Sequence, residues 1–292
     1  MRLALRQHEL VFERGRPGLM GIVNAGPDSF SDPGPRELDD LLRVAREMTA
    51  AGATLIDVGG ESGRTDRPAV SEDEEASRIV PVVERLAGEG IAVSADTWRA
   101  GPARAALDAG AAMLNDVSAL SDPTLAGLCA DAGAGLVITH TRAAPKSKEM
   151  PGHEDVVGDV ATLLSELMAT ASAGGVDREA MLLDPGLDLG KDPAESVEVL
   201  RRIGELEGLG RPLLLAISRK DFLGAITGRP PAGRDAATLA AVEPALDLPG
   251  AVLRVHDVEA AADFLAVRAV LRGDGTVGGG ALDPALRTEA IA

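Results

Sequence analysis

Between residues 19 and 271, short apolar runs alternate with longer amphipathic stretches eight times. The runs are LMGIVN (19–24), TLIDV (54–58), IAVSAD (91–96), AMLND (112–116), GLVITH (135–140), MLLDP (181–185), PLLLAIS (212–218) and AVLRVH (251–256). Helical stretches are predicted between them at about 36–51, 72–87, 99–109, 122–132, 155–173, 193–207, 234–246 and 257–271. Runs this short and this apolar suit strands covered on both faces. Strand then helix, repeated eight times, predicts a single-domain (β/α)8 TIM barrel, with an open doubly wound sheet as the alternative. Units of similar length, with no large linker, favour closure of the sheet into a barrel.

Local punctuation agrees. AAGAT and DAGAA place Gly at a helix end just before a strand. SEDEE (71–75) starts with an N-capping Ser and has Glu74 three positions on. Residues 1–17 are read as an N-terminal extension that forms a small hairpin, 18–272 as the barrel, and 273–292 as a Gly-rich C-terminal tail. TRAAPKSKEMPGHE (141–154) is a long loop after the fifth strand.

Composition limits the partners. A formal charge of −17 on 292 residues argues against a nucleic-acid or anionic-membrane surface. One cysteine, Cys129, excludes an internal disulfide framework and is read as a core residue. The N-terminus carries Arg2, Arg6, His8 and Glu9 with no apolar run behind them, and no segment reaches the roughly 20 apolar residues of a membrane span. A cytoplasmic protein is expected.

In a barrel of this kind the chemistry sits at the C-terminal ends of the strands. Those ends read Asn24; Asp57, then Glu61; Asp96; Asn115 and Asp116; His140; Asp184; Ser218, Arg219 and Lys220; Arg254 and His256. Asp96, Asn115 and Asp184 offer acceptors and one amide, which suits the amino and ring N–H edge of a flat heterocycle. Lys220, Arg254 and His256 come from the last two strands, where such barrels commonly bind phosphate. Asn24 is a neutral oxygen that could complete the shell of a Mg²⁺ holding phosphate oxygens. GLDLGKD (186–192) is not a phosphate loop: it has three residues between its glycines and Asp192 after the Lys. No His or Cys spacing suggests a metal site, and His8 and His153 are read as surface residues.

Six ordered motifs carry a resemblance: MGIVNAGPDSFSD, AGATLIDVGGES, SADTWRA, AGAAMLNDVS, LLDPG, and SRKDFLG followed by LRVHDV. Over residues 18 to 271 the chain resembles the dihydropteroate synthases, the pterin-binding barrels of folate synthesis. The resemblance implies condensation of 6-hydroxymethyl-7,8-dihydropterin pyrophosphate with p-aminobenzoate, assisted by Mg²⁺, in a homodimer. It implies pterin binding by Asp96, Asn115, Asp184 and Lys220, and pyrophosphate binding by Asn24 (through the metal), Arg254 and His256. It also implies a first loop, with Asp28, Phe30 and Asp32, that closes over the site.

Departures from the family pattern cluster on the p-aminobenzoate side. Ala25-Gly26 replace a common Val-Thr, and ESGRT, with Gly63, Arg64 and Thr65, stands where Glu-Ser-Thr-Arg-Pro is common. Asp221 replaces a frequent Ser, THTRA a His-Met pair, and Asp188-Leu189 a Gly-Phe. Asp221 beside an anionic carboxylate is unfavourable unless it points away or pairs with Arg219. A non-catalytic pterin-binding paralogue and a methyltetrahydrofolate methyltransferase are the alternatives; the cationic set argues against the second.

Overall fold

The structure is a computed structural model that describes residues 1–26, 37–61, 68–147 and 149–278. A hairpin of β1 (Arg2–Leu5) and β2 (His8–Val11) precedes the barrel. Then follow β3 (Gly18–Asn24), α1 (Leu38–Ala50), β4 (Leu55–Gly59), α2 (Glu72–Gly88), β5 (Val93–Asp96), α3 (Ala100–Asp108), β6 (Met113–Asp116) and α4 (Thr124–Ala132). The second half holds β7 (Gly135–Thr139), α5 (Val156–Ala173), β8 (Met181–Asp184), α6 (Pro193–Arg201), β9 (Leu213–Leu215), α7 (Asp221–Thr227), α8 (Asp235–Ala240), β10 (Ala251–Val255) and α9 (Val258–Arg272). The strands β3 to β10 form a closed parallel barrel, β10 pairing with both β9 and β3. The sheet is a TIM barrel, not an open doubly wound sheet.

Alternation along the strands builds two layers inside this barrel. Met20, Leu55, Ala92, Met113, Val137, Leu182, Leu214 and Val252 form an apolar floor, sealed from below by Leu3, Leu5 and Phe12 of the N-terminal segment. Side chains two residues further along a strand point the same way. That step turns Leu55 into Asp57, Ala92 into Ser94, Met113 into Asn115, Val137 into Thr139, Leu182 into Asp184 and Val252 into Arg254. A hydrophobic floor thus carries a polar layer at the C-terminal end. The opposite strand faces, among them Ile56, Val58, Val93, Leu114, Leu136 and Leu253, pack against the helices in a separate core.

Three elements differ from the sequence reading. The stretch 193–207 is α6 followed by a 3-10 turn at Ile203–Leu209, a segment with Gly204 and Gly208, which favour helix weakly. The stretch 234–246 divides into α8 and a 3-10 turn at Glu243–Asp247, where Pro244 has no N–H to continue the helix. α7 was not anticipated, because seven residues including Gly224 are too few to show helical periodicity. α5, with 18 residues, is by length and composition apolar enough to cross a membrane. In the fold its Val157, Val160, Leu164 and Ala171 are buried in the shared core instead.

Candidate active site

The strand register brings Asn24, Gly59, Asp96 and Asn115 side by side across four neighbouring strands. Gly59 leaves room in that row. A Cβ there would lie 3.9 Å from Asp96 Oδ2 and 4.0 Å from Asn24 Oδ1, so these two oxygens flank its backbone. One layer below, Asp57 is the hub. Its Oδ2 accepts from Asn115 Nδ2 at 3.0 Å and from Arg254 Nε at 2.6 Å. Arg254 Nη2 reaches Asp96 Oδ2 at 2.8 Å. The guanidinium therefore bridges two carboxylates within the barrel mouth.

Several acceptors here lack a partner. Asp57 Oδ1 and Asn115 Oδ1 are buried with no hydrogen bond among the described residues, as are the hydroxyls of Ser94 and Thr139. Buried polar atoms in folded proteins are nearly always paired, and each exception calls for a reason. Acceptors facing a common lumen call for a ligand rich in N–H donors. Burial pushes the Asp96 carboxyl up to about 7, with Arg254 pulling against it, and raises Asp184 as well. The site is therefore acceptor-rich but partly neutralised.

Asp184 is fixed by its own loop. Its Oδ1 accepts from the Gly186 N–H at 2.7 Å, and the Leu187 carbonyl accepts from Lys220 Nζ at 3.0 Å. Beneath this loop lies Lys191, only 1% exposed. Its ammonium reaches the Gly186 carbonyl at 2.9 Å and His140 Nδ1 at 2.7 Å. Burial lowers Lys191 to about 8. Gly186 has φ +68, and a Cβ would overlap the His140 carbonyl, so only glycine fits that turn. The sequence reading assigned no role to Lys191 or Asp57. Asp57 was visible as a strand end, but Lys191 was obscured by its place in a false phosphate-loop pattern.

His256 follows β10 and takes Ser218 Oγ at 2.8 Å on Nδ1, while its own backbone N–H donates to the same oxygen. Donation of the hydroxyl proton to Nδ1 would leave the ring proton on Nε2. Burial, with Arg219 and Arg254 nearby, lowers this imidazole to about 4. A ring lowered that far is neutral at pH 7, where the sequence reading had His256 as cationic or potentially so. Asp221 points outward and pairs with Arg234 at 3.1 Å, while Arg219 pairs with Asp235 at 2.7 Å. Asp221 thus points away, the first of the two arrangements expected for it, with Arg234 and not Arg219 as its partner. Glu61, just after β4, accepts from both Arg99 Nη2 at 2.8 Å and Lys146 Nζ at 2.7 Å. Asp28, Phe30, Asp32, Gly63, Arg64 and Thr65 lie outside the described residues. Cys129 is buried, its thiol pushed up to about 12 by desolvation, as fits a core residue.

A closed (β/α)8 barrel with a buried, donor-seeking pocket at the C-terminal ends of its strands defines a small-molecule barrel enzyme. The family model described as pterin binding enzyme matches residues 20–256, and the chain belongs to that family. The dihydropteroate synthase of Bacillus subtilis is 40% identical over 244 residues, 82% of this chain and 84% of that protein. That of Mycobacterium leprae is 42% identical over 260 residues, 85% and 91% of the two chains. A probable bifunctional folylpolyglutamate synthase/dihydropteroate synthase of Haloferax volcanii is 42% identical over 243 residues; this chain spans 29% of that longer protein. Among solved structures, Xanthomonas albilineans dihydropteroate synthase with 4-aminobenzoic acid aligns with a TM-score of 0.84 at 38% identity, covering 93% of this chain and 98% of that one. The same enzyme in complex with 7,8-dihydropteroate aligns at 0.82 and 37% identity, covering 93% and 99%.

Proposed function

We infer that this chain is a dihydropteroate synthase, a transferase that joins 6-hydroxymethyl-7,8-dihydropterin pyrophosphate to p-aminobenzoate. The observation that carries the reading is the unpaired acceptor set of Asp57 and Asn115 beside Asp96 and Asp184. A pterin edge offers the amino and ring N–H donors that such a pocket lacks. Asp184 and Asn115 would grip that edge, and Lys220 would meet the ring carbonyl. The C–O bond to pyrophosphate breaks, the p-aminobenzoate nitrogen bonds to the methylene carbon, and the nitrogen loses one proton to solvent. An aryl amine attacking a cation-like carbon needs no dedicated base. Preset groups that meet the departing charge supply the largest share of such catalysis. Here Arg254 and the Nε2–H of His256 would do so.

The neutral oxygen of Asn24, close to the Asp96 carboxylate, fits Mg²⁺, which takes few protein ligands and completes its shell with phosphate oxygens and water. Bound there, Mg²⁺ would neutralise charge on the leaving pyrophosphate. The same reading makes the enzyme a cytoplasmic homodimer paired through its late helices, where Val267 and Leu271 of α9 stand exposed.

The test supplies purified protein with the pterin pyrophosphate, Mg²⁺ and p-aminobenzoate, and follows dihydropteroate and pyrophosphate. Turnover in wild type, with Asp184→Ala losing pterin affinity by about 100-fold or more, is expected for a buried bidentate contact. Pterin binding without turnover would leave a non-catalytic paralogue. Unchanged affinity in Asp184→Ala would overturn the pocket assignment.

A further inference from the structure

His153, expected at the surface, is buried instead, with a side chain only 5% exposed. The loop before α5 turns it under Glu195. One carboxylate oxygen, Glu195 Oε1, accepts from the His153 backbone N–H at 2.8 Å and from its Nδ1 at 2.9 Å. A carboxylate holding Nδ1 puts a ring proton on that nitrogen and turns Nε2 toward Asp159. That Nε2 is buried without a hydrogen bond. It faces Asp159 Oδ2 at 3.5 Å, with no hydrogen bond between them. His140, fully buried after β7, places its Nε2 2.8 Å from the same oxygen. The three ligand atoms lie within 4.8 Å of one another.

From this geometry we propose that His140, His153 and Asp159 form a binding site for a late first-row divalent metal of the Zn²⁺ type, outside the barrel lumen. Two imidazoles and one carboxylate match that class and not Mg²⁺ or Ca²⁺, which take oxygen shells. Bonds of about 2.0–2.2 Å put tetrahedral ligands roughly 3.4 Å apart. The His153–Asp159 separation already has that value, and His140 must draw back by about half an ångström. Nε2 of His153, which makes no hydrogen bond, would gain a partner in the cation.

The surroundings are those of a supported site. A ligating histidine usually gives its second nitrogen to a carboxylate or other fixed partner. Glu195 does this for His153. Metal binding displaces the Nε2 proton of His140 to solvent. One Lys191 ammonium proton would pass to Nδ1, and that Nδ1–H would then donate to the neutral amine. Arg142 holds Asp159 from the far side, Nη2 on Oδ1 at 2.7 Å and Nε on Oδ2 at 3.1 Å. The fourth position would open toward a cleft of about 540 Å³ bordered by Arg142, His153, Asp155 and Thr162, so water can fill it. The metal would staple the loop after β7 to the first turn of α5.

Chelator-treated protein titrated with Zn²⁺ by calorimetry, and with Co²⁺ by visible absorption, tests this without reference to activity. One equivalent bound, a tetrahedral Co²⁺ spectrum and a raised melting temperature are expected. His153→Gln should remove the saturable site, and Glu195→Gln, which leaves all three ligands, should weaken it by about 10-fold. Circular dichroism of each apo variant separates lost binding from lost folding. No stoichiometric binding by wild type, or equal binding by folded wild type and His153→Gln, would overturn the proposal.

Discussion

Arg254 illustrates how much one side chain carries in this barrel. It enters the polar layer from β10 and lies against Asp57 and Asp96. Removing it leaves two carboxylates together in a buried mouth, a change that costs about 3–5 kcal/mol in other proteins. Asp96 already titrates high, at about 7, because burial outweighs the guanidinium. A carboxyl whose folded pKa is raised contributes most stability at low pH and loses it as pH rises through that value. Without Arg254 the carboxyl rises further. The deficit of Arg254→Ala, measured by urea unfolding from pH 6 to pH 8, should therefore grow as pH rises through about 7. A deficit of equal size across that range would mean the bridge does not set these carboxylates.

Among the elements, the turn between β8 and α6 has the most work to do. It fixes Asp184 through one N–H and Lys220 through one carbonyl, and it rests on the Lys191 ammonium. α6 starts directly after it, with a capping box between Asp192 and Glu195. Lys191 acts on Asp184 through this turn and through its own charge. Lys191→Met should raise KM for the pterin substrate by about 10-fold, the equivalent of about 1.4 kcal/mol, with kcat little changed. The reason is that Asp184, in the proposed role, would grip the pterin equally in the ground and transition states. A fall in kcat at constant KM would show instead that Lys191 acts on the reacting groups.

At the scale of the whole molecule, the two ends of the barrel divide the labour. The N-terminal hairpin closes the floor with Leu3 and Leu5, while the chemistry gathers at the opposite mouth. Leu5→Ala should cost about 2–5 kcal/mol in urea unfolding and leave kcat unchanged under native conditions. A lost kcat in the folded variant would mean that the floor sets the geometry of the mouth. The barrel itself was legible in the chain, because burial on both faces writes continuous apolar runs and helices write their own period. Strand ends such as Asn24, Asp96, Asn115, Asp184 and Arg254 were legible for the same reason: topology gives every strand end a common face. Which of them touch was not. The bridge of Arg254 to Asp57 and Asp96, the neutral state of His256, the burial of Lys191 and the meeting of His140, His153 and Asp159 depend on closure of the sheet and the path of loops. Those place residues far apart in sequence within hydrogen-bond reach, and no local pattern records that distance.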